Sequence, residues 1–320
     1  MTTAPSTPSA ASGPRTRRRS DGSPSARTLL LTVLGEYVGY AGTDRVWSAA
    51  VVEALRACGV EETAARRAIT RLTHEGWLTT EPAGRFTRLV MTPRLVRLLA
   101  SWTARLRRAM EETPWEGTWQ QLLLRVPAAA RTERAAVEEQ LAFQGFGALG
   151  QGVWIAADAG GVPALRELLA ELGLAGGATW LTCRTAGESV DGSGGFVEAS
   201  AEDSGAGSGE ASGGSRADLA LAAQAWDLDA VRPLHTDFLE RFAGVRADGD
   251  EEAFVLRTRL VHAWRLTFDR DPRLPGVLLP ADWPGRAAAE VFVRTWLDCR
   301  DGADRWWARL DEDPRGAQRG

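Results

Sequence analysis

Residues 63–75 constrain this chain more than any other stretch, because only a helix puts their apolar side chains on one face. Ala65, Ala68, Ile69 and Leu72 stand at i, i+3, i+4 and i+7, one stripe at about 100° per residue. The opposite face carries Thr63, Arg67, Thr70 and His74, with Arg66 and Arg71 beside it. Two further helices are expected ahead of it: Arg27–Val38, with Leu30, Val33, Leu34 and Tyr37 inward, and Val46–Ala57, with Trp47, Val51 and Leu55 one turn apart. A short turn at Cys58-Gly59-Val60 leads into the third helix, and Gly76 stops it. Trp77–Glu81 and Arg85–Met91 read as two strands joined at Pro82-Ala83-Gly84. Three helices and an arginine-bearing hairpin, with an arginine/threonine face on the third helix, have the form of a winged helix-turn-helix that reads DNA. Thr63, Arg66, Arg67, Thr70 and Arg71 are then the expected groove contacts, and Arg85 and Arg88 the hairpin's contacts with phosphate or the minor groove. Thr92-Pro93 opens a fourth helix, to about Met110, whose Arg105, Arg107 and Arg108 read as a solvated face.

Charge supports this reading by its distribution. The net charge is −4, yet residues 1–112 hold 17 arginines against 10 carboxylates, a net of +7, and residues 113–320 hold 21 against 32, a net of −11. The amino-terminal part is suited to phosphate and the remainder to another task. Cys58, Cys183 and Cys299 are far apart and form no CxxC or Cys/His cluster, so reduced thiols in a cytoplasmic protein are expected, with no metal. No run of 18 apolar residues suggests a membrane span. Arg17-Arg18-Arg19 is followed by Ser-Asp-Gly-Ser-Pro and by no apolar stretch, which does not fit an export signal.

Beyond Pro114-Trp115, a strand at Thr118–Val126, a helix at Arg131–Gln144, a strand at Gly152–Ala156, a helix at Pro163–Leu172 and a strand at Ala178–Arg184 follow in order, with a break at Gly145-Phe146-Gly147. That succession suits a ferredoxin-like α+β unit. Residues 187–215 are Gly, Ser, Ala and acid, and read as a disordered loop. The rest is helical. Val231, Leu234, His235, Phe238 and Phe242 share a face, as do Phe254, Val261, Trp264 and Phe268; a final helix runs from about Pro284 to Asp298. The proline-rich stretch 271–285 between them is too apolar for a free linker. His235 reads as a core histidine, Trp115, Trp119 and Trp154 as core aromatics, and the Asp269–Asp271 and Asp311–Asp313 runs as surface charge.

Several of these stretches together resemble the PaaX-type transcriptional repressors. The resemblance rests on His262-Ala-Trp-Arg265, Asp271-Pro-Arg-Leu-Pro275 and Leu278-Leu-Pro-Ala-Asp-Trp-Pro-Gly-Arg286, on Trp115-Glu-Gly-Thr-Trp119 and Gly152-Val-Trp154, and on Arg27–Gly35 and Ala65–Leu72. It implies an α+β chain with a winged helix-turn-helix at 27–112, a ferredoxin-like domain similar to a small CRISPR-associated nuclease at 113–186 and a helical domain at 216–309; by composition, residues 1–26 read as a disordered basic tail, 187–215 as a loop longer than the family's pattern and 310–320 as a frayed tail. It implies a homodimer on an inverted-repeat operator in double-stranded DNA, released by an aryl-acyl-CoA. A polyanionic thioester needs local arginines, so Arg265 and Arg286, with Trp264 and Trp283 for the ring, are the expected effector contacts.

Enzyme readings find little support. Where the nuclease-like unit would need a carboxylate after its first strand, the chain reads Leu124-Arg125-Val126-Pro127. No GxSxG, HExxH or phosphate-cradling glycine loop occurs, and the three histidines are scattered. The alternative class is a winged-helix adaptor whose basic helix binds an acidic protein without sequence-specific DNA binding.

Overall fold

The computed structural model describes residues 25–110, 114–127, 130–185, 214–267 and 270–312, with backbone alone at 104–110 and 131–132. The expected basic tail, nearly all of the 187–215 loop, most of the 310–320 tail, Phe268 and the side chains of Arg105, Arg107 and Arg108 lie outside these residues. The fold is mixed α+β, with two small sheets among many helices. It divides into two compact units, one of residues 1–112, 231–270 and 284–320, the other of 113–230 and 271–283.

In the first unit, α1 (Ala26–Val33) continues as a π-helical turn over Leu34–Gly39. Its sequence gave one inward stripe, yet Thr28 through Leu34 and Glu36 through Val38 are all buried. A helix buried nearly all round needs packing on every side. α2 (Ser48–Ala57) and α3 (Glu62–His74) cover one side, and α9 (Asp250–Arg265) another. α10 (Gly285–Leu310) runs twelve residues past its expected end at Asp298. The polar stretch around Gly302 looks like a stop, but Cys299, Ala303, Trp306 and Trp307 continue a buried stripe into the core formed by α1–α3. A Cβ on Gly302 would stand 3.0 Å from that of Ala253, so the glycine permits α9 and α10 to close together. Helices from the chain's carboxy-terminal third thus complete the amino-terminal core.

A three-stranded sheet belongs to the same unit. β1 (Arg45–Trp47) pairs antiparallel with β3 (Phe86–Met91), which pairs with β2 (Leu78–Ala83). β1 was expected to be the first turn of the second helix; three residues are too few for periodicity to separate the two, and pairing with β3 decides it. Asp311, read as surface charge, accepts the Trp47 N–H at 2.9 Å and so holds the start of α2.

In the second unit, β4 (Trp119–Leu124), α5 (Arg131–Phe143), β5 (Gly147–Gly150), β6 (Val153–Ala156), α6 (Val162–Glu171) and β7 (Ala178–Cys183) form an antiparallel sheet in the order β5-β6-β4-β7. The expected break is there, with Gly145 at φ +85° after the end of α5, and β5 follows it as a strand not expected from the sequence. Leu122, Leu124, Val137, Leu141, Leu165 and Leu169 pack one face of the sheet beneath the two helices. The other face is covered by α7 (Arg216–Ala225) and by the 271–283 segment, whose Leu274 and Leu278 are buried with Trp119. α7 begins in a capping box of Ser215 and Asp218, and Asp218 accepts the Trp119 indole N–H at 2.9 Å.

Candidate nucleic-acid interface

α3 is held by four buried side chains, Ala65, Ala68, Ile69 and Leu72, with Ala64 and Thr73 half-buried beside them and the rest outward. Thr63, Arg66, Arg67, Thr70, Arg71 and His74 are all exposed. Two of the arginines are tied along the helix: Arg66 to Glu62 at 2.7 Å and Arg71 to Glu75 at 2.9 Å. Exposed i,i+4 pairs contribute only about 0.3–0.5 kcal/mol, so either arginine can leave its carboxylate for a stronger acceptor. The Thr70 hydroxyl donates to the Arg66 carbonyl at 3.0 Å. Arg67, at the centre of the face, has no carboxylate partner among the described residues.

The far end of α3 is fixed by Glu75. Both its oxygens receive the Arg27 guanidinium, at 2.7 and 2.5 Å, and Oε1 also receives Arg71. The Arg27 hydrogen bonds, with those of Arg71, hold this carboxyl at a pKa of about 2. α1 and α3 are thereby clamped at one end by a bidentate pair.

After Gly76 and Trp77, β2 and β3 make a hairpin closed by the two residues Gly84 and Arg85, between the cross-strand partners Ala83 and Phe86. Gly84 takes φ +66°, which a side chain would strain. Arg85 therefore sits exposed at the tip, its guanidinium 5.0 Å from the Phe86 ring. Arg88 is half-buried, stacked 4.2 Å from the Trp47 ring. Arg94, on α4 (Pro93–Met110), covers Trp77 at 3.8 Å. All these side chains belong to the first unit.

Of the four positions expected at an effector, three belong to the first unit. Trp264 is buried in the core, stacked 5.0 Å from Phe292. Arg265, next to it at the end of α9, lies 3.5 Å over the Trp102 ring and donates to the Thr32 hydroxyl at 3.3 Å. Arg286 is exposed in the first turn of α10, 4.0 Å from Glu290. Trp283, half-buried, belongs to the other unit. His235 is buried beside Trp264, 6.1 Å between ring centres. One polar constellation was not anticipated. Glu36, within the π-helical turn, accepts from Arg257 Nε at 2.7 Å and from the Trp296 indole at 2.6 Å. Arg257 is fully buried and also reaches Asp304 at 2.6 Å. The visible signal was a carboxylate within the apolar run Leu29–Val38 and an arginine within the apolar run of α9, two charges that need each other.

Comparison with known proteins follows the chain from end to end. Residues 25–90 match the model of the PaaX-like protein family, residues 112–193 that of the PaaX protein central Cas2-like domain, and residues 226–309 that of the PaaX-like protein C-terminal domain. The transcriptional repressor PaaX of Escherichia coli strain K12 is 26% identical over 280 residues, 85% of this chain and 79% of that protein. The chain belongs to the PaaX family of transcriptional repressors. The β4–β7 unit is the family's Cas2-like domain, and its two-layered antiparallel sheet fits that description. The fold is also shared with an uncharacterised protein, Rv0674, of Mycobacterium tuberculosis, at 24% identity, a TM-score of 0.53 and coverage of 88% of this chain and 98% of that one. Among the described residues no group of His, Cys, Asp and Glu is arranged to hold a metal ion, and no helix is long and apolar enough to cross a membrane.

Proposed function

We propose that this PaaX-family chain represses transcription by binding an inverted-repeat operator as a homodimer, each protomer inserting α3 of a winged helix-turn-helix into the major groove. The observation that carries this reading is the division of α3: one stripe fully buried, and Thr63, Arg66, Arg67, Thr70 and Arg71 all outward on the other side. Arg67 is the base-reading residue, since it is unpaired and central, and a bidentate arginine on guanine is the commonest specific contact. Arg66, Arg71 and the hairpin tip Arg85 meet phosphate. Arg88 braces the hairpin through Trp47 and reaches the backbone at its edge. One such module offers few contacts, so two half-sites about 34–36 Å apart, or a multiple, are expected.

An aryl-acyl-CoA, the effector implied by resemblance to the family, releases the operator. It does so only through unequal affinity for the DNA-bound and free states. Arg265 is the best supported of the effector contacts, because it combines a guanidinium with an aromatic platform. The reading is tested by titrating the full chain on the promoter beside its own gene and on scrambled DNA. A preference of about a thousandfold or more supports it. Weak binding without preference favours an adaptor that docks on an acidic protein.

A further inference from the structure

The far end of α3 gathers more positive charge than the reading helix and the hairpin use. Its carboxylate, Glu75, is already taken by Arg27 and Arg71. α4 starts at the same place: the Thr92 hydroxyl is shared between the carbonyls of Gly76 and Trp77, at 3.1 Å each, and Arg94 covers the Trp77 ring. Arg97, three residues on and so on the same side of α4, is exposed. Neither Arg94 nor Arg97 has a carboxylate partner among the described residues. α1 begins here too, with its N-cap Ser25 two residues before the Arg27 that Glu75 holds. Residues 1–24, outside the described residues, therefore join the fold at this end of α3. They hold Arg15, Arg17, Arg18 and Arg19 against one carboxylate, Asp21. They also precede residue 25, where the match to the PaaX-like family begins, so this charge is an addition of this chain.

From this convergence we infer that the four tail arginines and the start of α4, through Arg94 and Arg97, form one phosphate-binding surface that grips the DNA backbone beside the groove entered by α3. The placement of that surface next to a half-site rests on the function proposed above; its affinity for a nucleic-acid backbone does not. Six residues separate Arg19 from Ser25 and ten separate Arg15, so their reach from the end of α3 is at most about 20 and 33 Å. The major groove is about 12 Å wide. The tail can thus meet phosphates beyond the edge of the groove that α3 occupies. Arg94 and Arg97 stand at the tail's root, and like charges so placed share one polyanion better than they contact each other. Such a surface adds affinity and carries no sequence information, because phosphates are alike at every site. The rival partner for the tail is the chain's own residues 113–320, with their net charge of −11.

The test compares the full chain with two variants of it, Arg15→Gln/Arg17→Gln/Arg18→Gln/Arg19→Gln and Arg97→Gln. Fluorescence anisotropy is read on the promoter beside its own gene and on scrambled DNA, from about 50 to 200 mM salt. The tail variant is expected to bind both DNAs at least about tenfold more weakly at the low-salt end, with the preference between them unchanged. Its slope of log affinity against log salt should fall by about 3–4 per protomer, and that of Arg97→Gln by about 1. Arg97 is exposed, so Tm should not move. Unchanged slopes in both variants, a loss in only one of them, or a loss confined to the promoter each overturns the shared surface. Tighter binding by the tail variant overturns it as well, and assigns the tail to the chain's own acidic half. If the unaltered chain shows no preference between the two DNAs, base reading by α3 fails, and the slopes on scrambled DNA still decide this surface.

Discussion

Arg257 is the side chain whose loss should disturb this fold most. It is fully buried, bonded to Glu36 at 2.7 Å and to Asp304 at 2.6 Å, and lies 4.5 Å over the Trp296 ring and 5.0 Å over Tyr37. Arg257→Met keeps most of the volume and removes the charge. Glu36 then faces only the Trp296 indole. Two unit charges about 4 Å apart at an effective dielectric constant near 20 attract by about 4 kcal/mol. Stranding one member of a buried pair is observed to cost about 3–5 kcal/mol. Asp304 is half exposed, so its share is small. The single variant should therefore lose about 3–5 kcal/mol, read as a lower urea midpoint at unchanged slope by tryptophan emission. Burial already holds Glu36 above the ordinary carboxylate range despite Arg257. Without the arginine its folded pKa rises further above the unfolded value. The folded state then binds the extra proton, so the defect should be smaller at pH 5.5 than at pH 8. In Glu36→Leu/Arg257→Met both buried charges are gone; the half-exposed Asp304 turns to water, and the Trp296 N–H is left unpaired at about 1 kcal/mol. A coupling energy of about 2 kcal/mol or more is expected from the cycle. Additive single and double variants, or an Arg257→Met cost below about 1 kcal/mol, would refute the argument.

Three other perturbations follow from the same core. The Glu75 pKa of about 2, against an unfolded value near 4.5, means that its stabilisation is complete above pH 4.5 and fades as pH falls toward 2. Discounted for partial exposure, Glu75→Gln should cost about 1–2 kcal/mol at pH 7, and urea titrations of the two proteins should draw together as pH falls from about 4.5 and converge only at about pH 2. Glu61 stands at the N-cap of α3 in extended conformation without a side-chain hydrogen bond, so Glu61→Ser should raise stability by about 0.5–1 kcal/mol in the same assay. A chain of residues 231–320 alone should give no packed aromatic signal by near-ultraviolet circular dichroism, because Phe254 and Trp307 pack on Tyr37 and Trp306 packs on Phe254; a cooperative native-like signal from 231–320 would contradict the shared core.

How much of this was legible in the chain depended on the length over which a pattern ran. The stripe of α3 spans two turns, and its four residues are the four buried ones. The hairpin was announced by Pro82-Ala83-Gly84, though the turn itself closes at Gly84-Arg85, one residue later, because the glycine must occupy the positive-φ position. Shorter elements were hidden. β1 and β5 have three and four residues and exist because β3 and β6 pair with them, a long-range fact. α7 is short and alanine-rich, with no apolar stripe to mark it, and its Ser215/Asp218 capping box stands at the edge of the stretch that read as a loop. The π-helical turn breaks the 3.6 period, so Glu36 could not be assigned to the interior until its partner, more than two hundred residues away, was in place. The candidate face on α3 was readable because contacts within one helix follow from spacing alone. The basic end of α3 was not, because α1, α3 and α4 must meet to make it.

The central claim is that α3 reads bases, and one titration tests it most directly. The full chain and its Arg67→Ala variant are measured against the promoter beside its own gene, that promoter mutated one base pair at a time, and scrambled DNA, at fixed salt. The account predicts a loss of about 1–3 kcal/mol for Arg67→Ala on the native site, with preference relaxed at one position per half-site. Arg85→Ala should instead weaken every sequence alike and reduce the salt slope by about 1. Unchanged operator affinity in Arg67→Ala, Arg66→Ala and Thr70→Ala would contradict it and move the interface off α3.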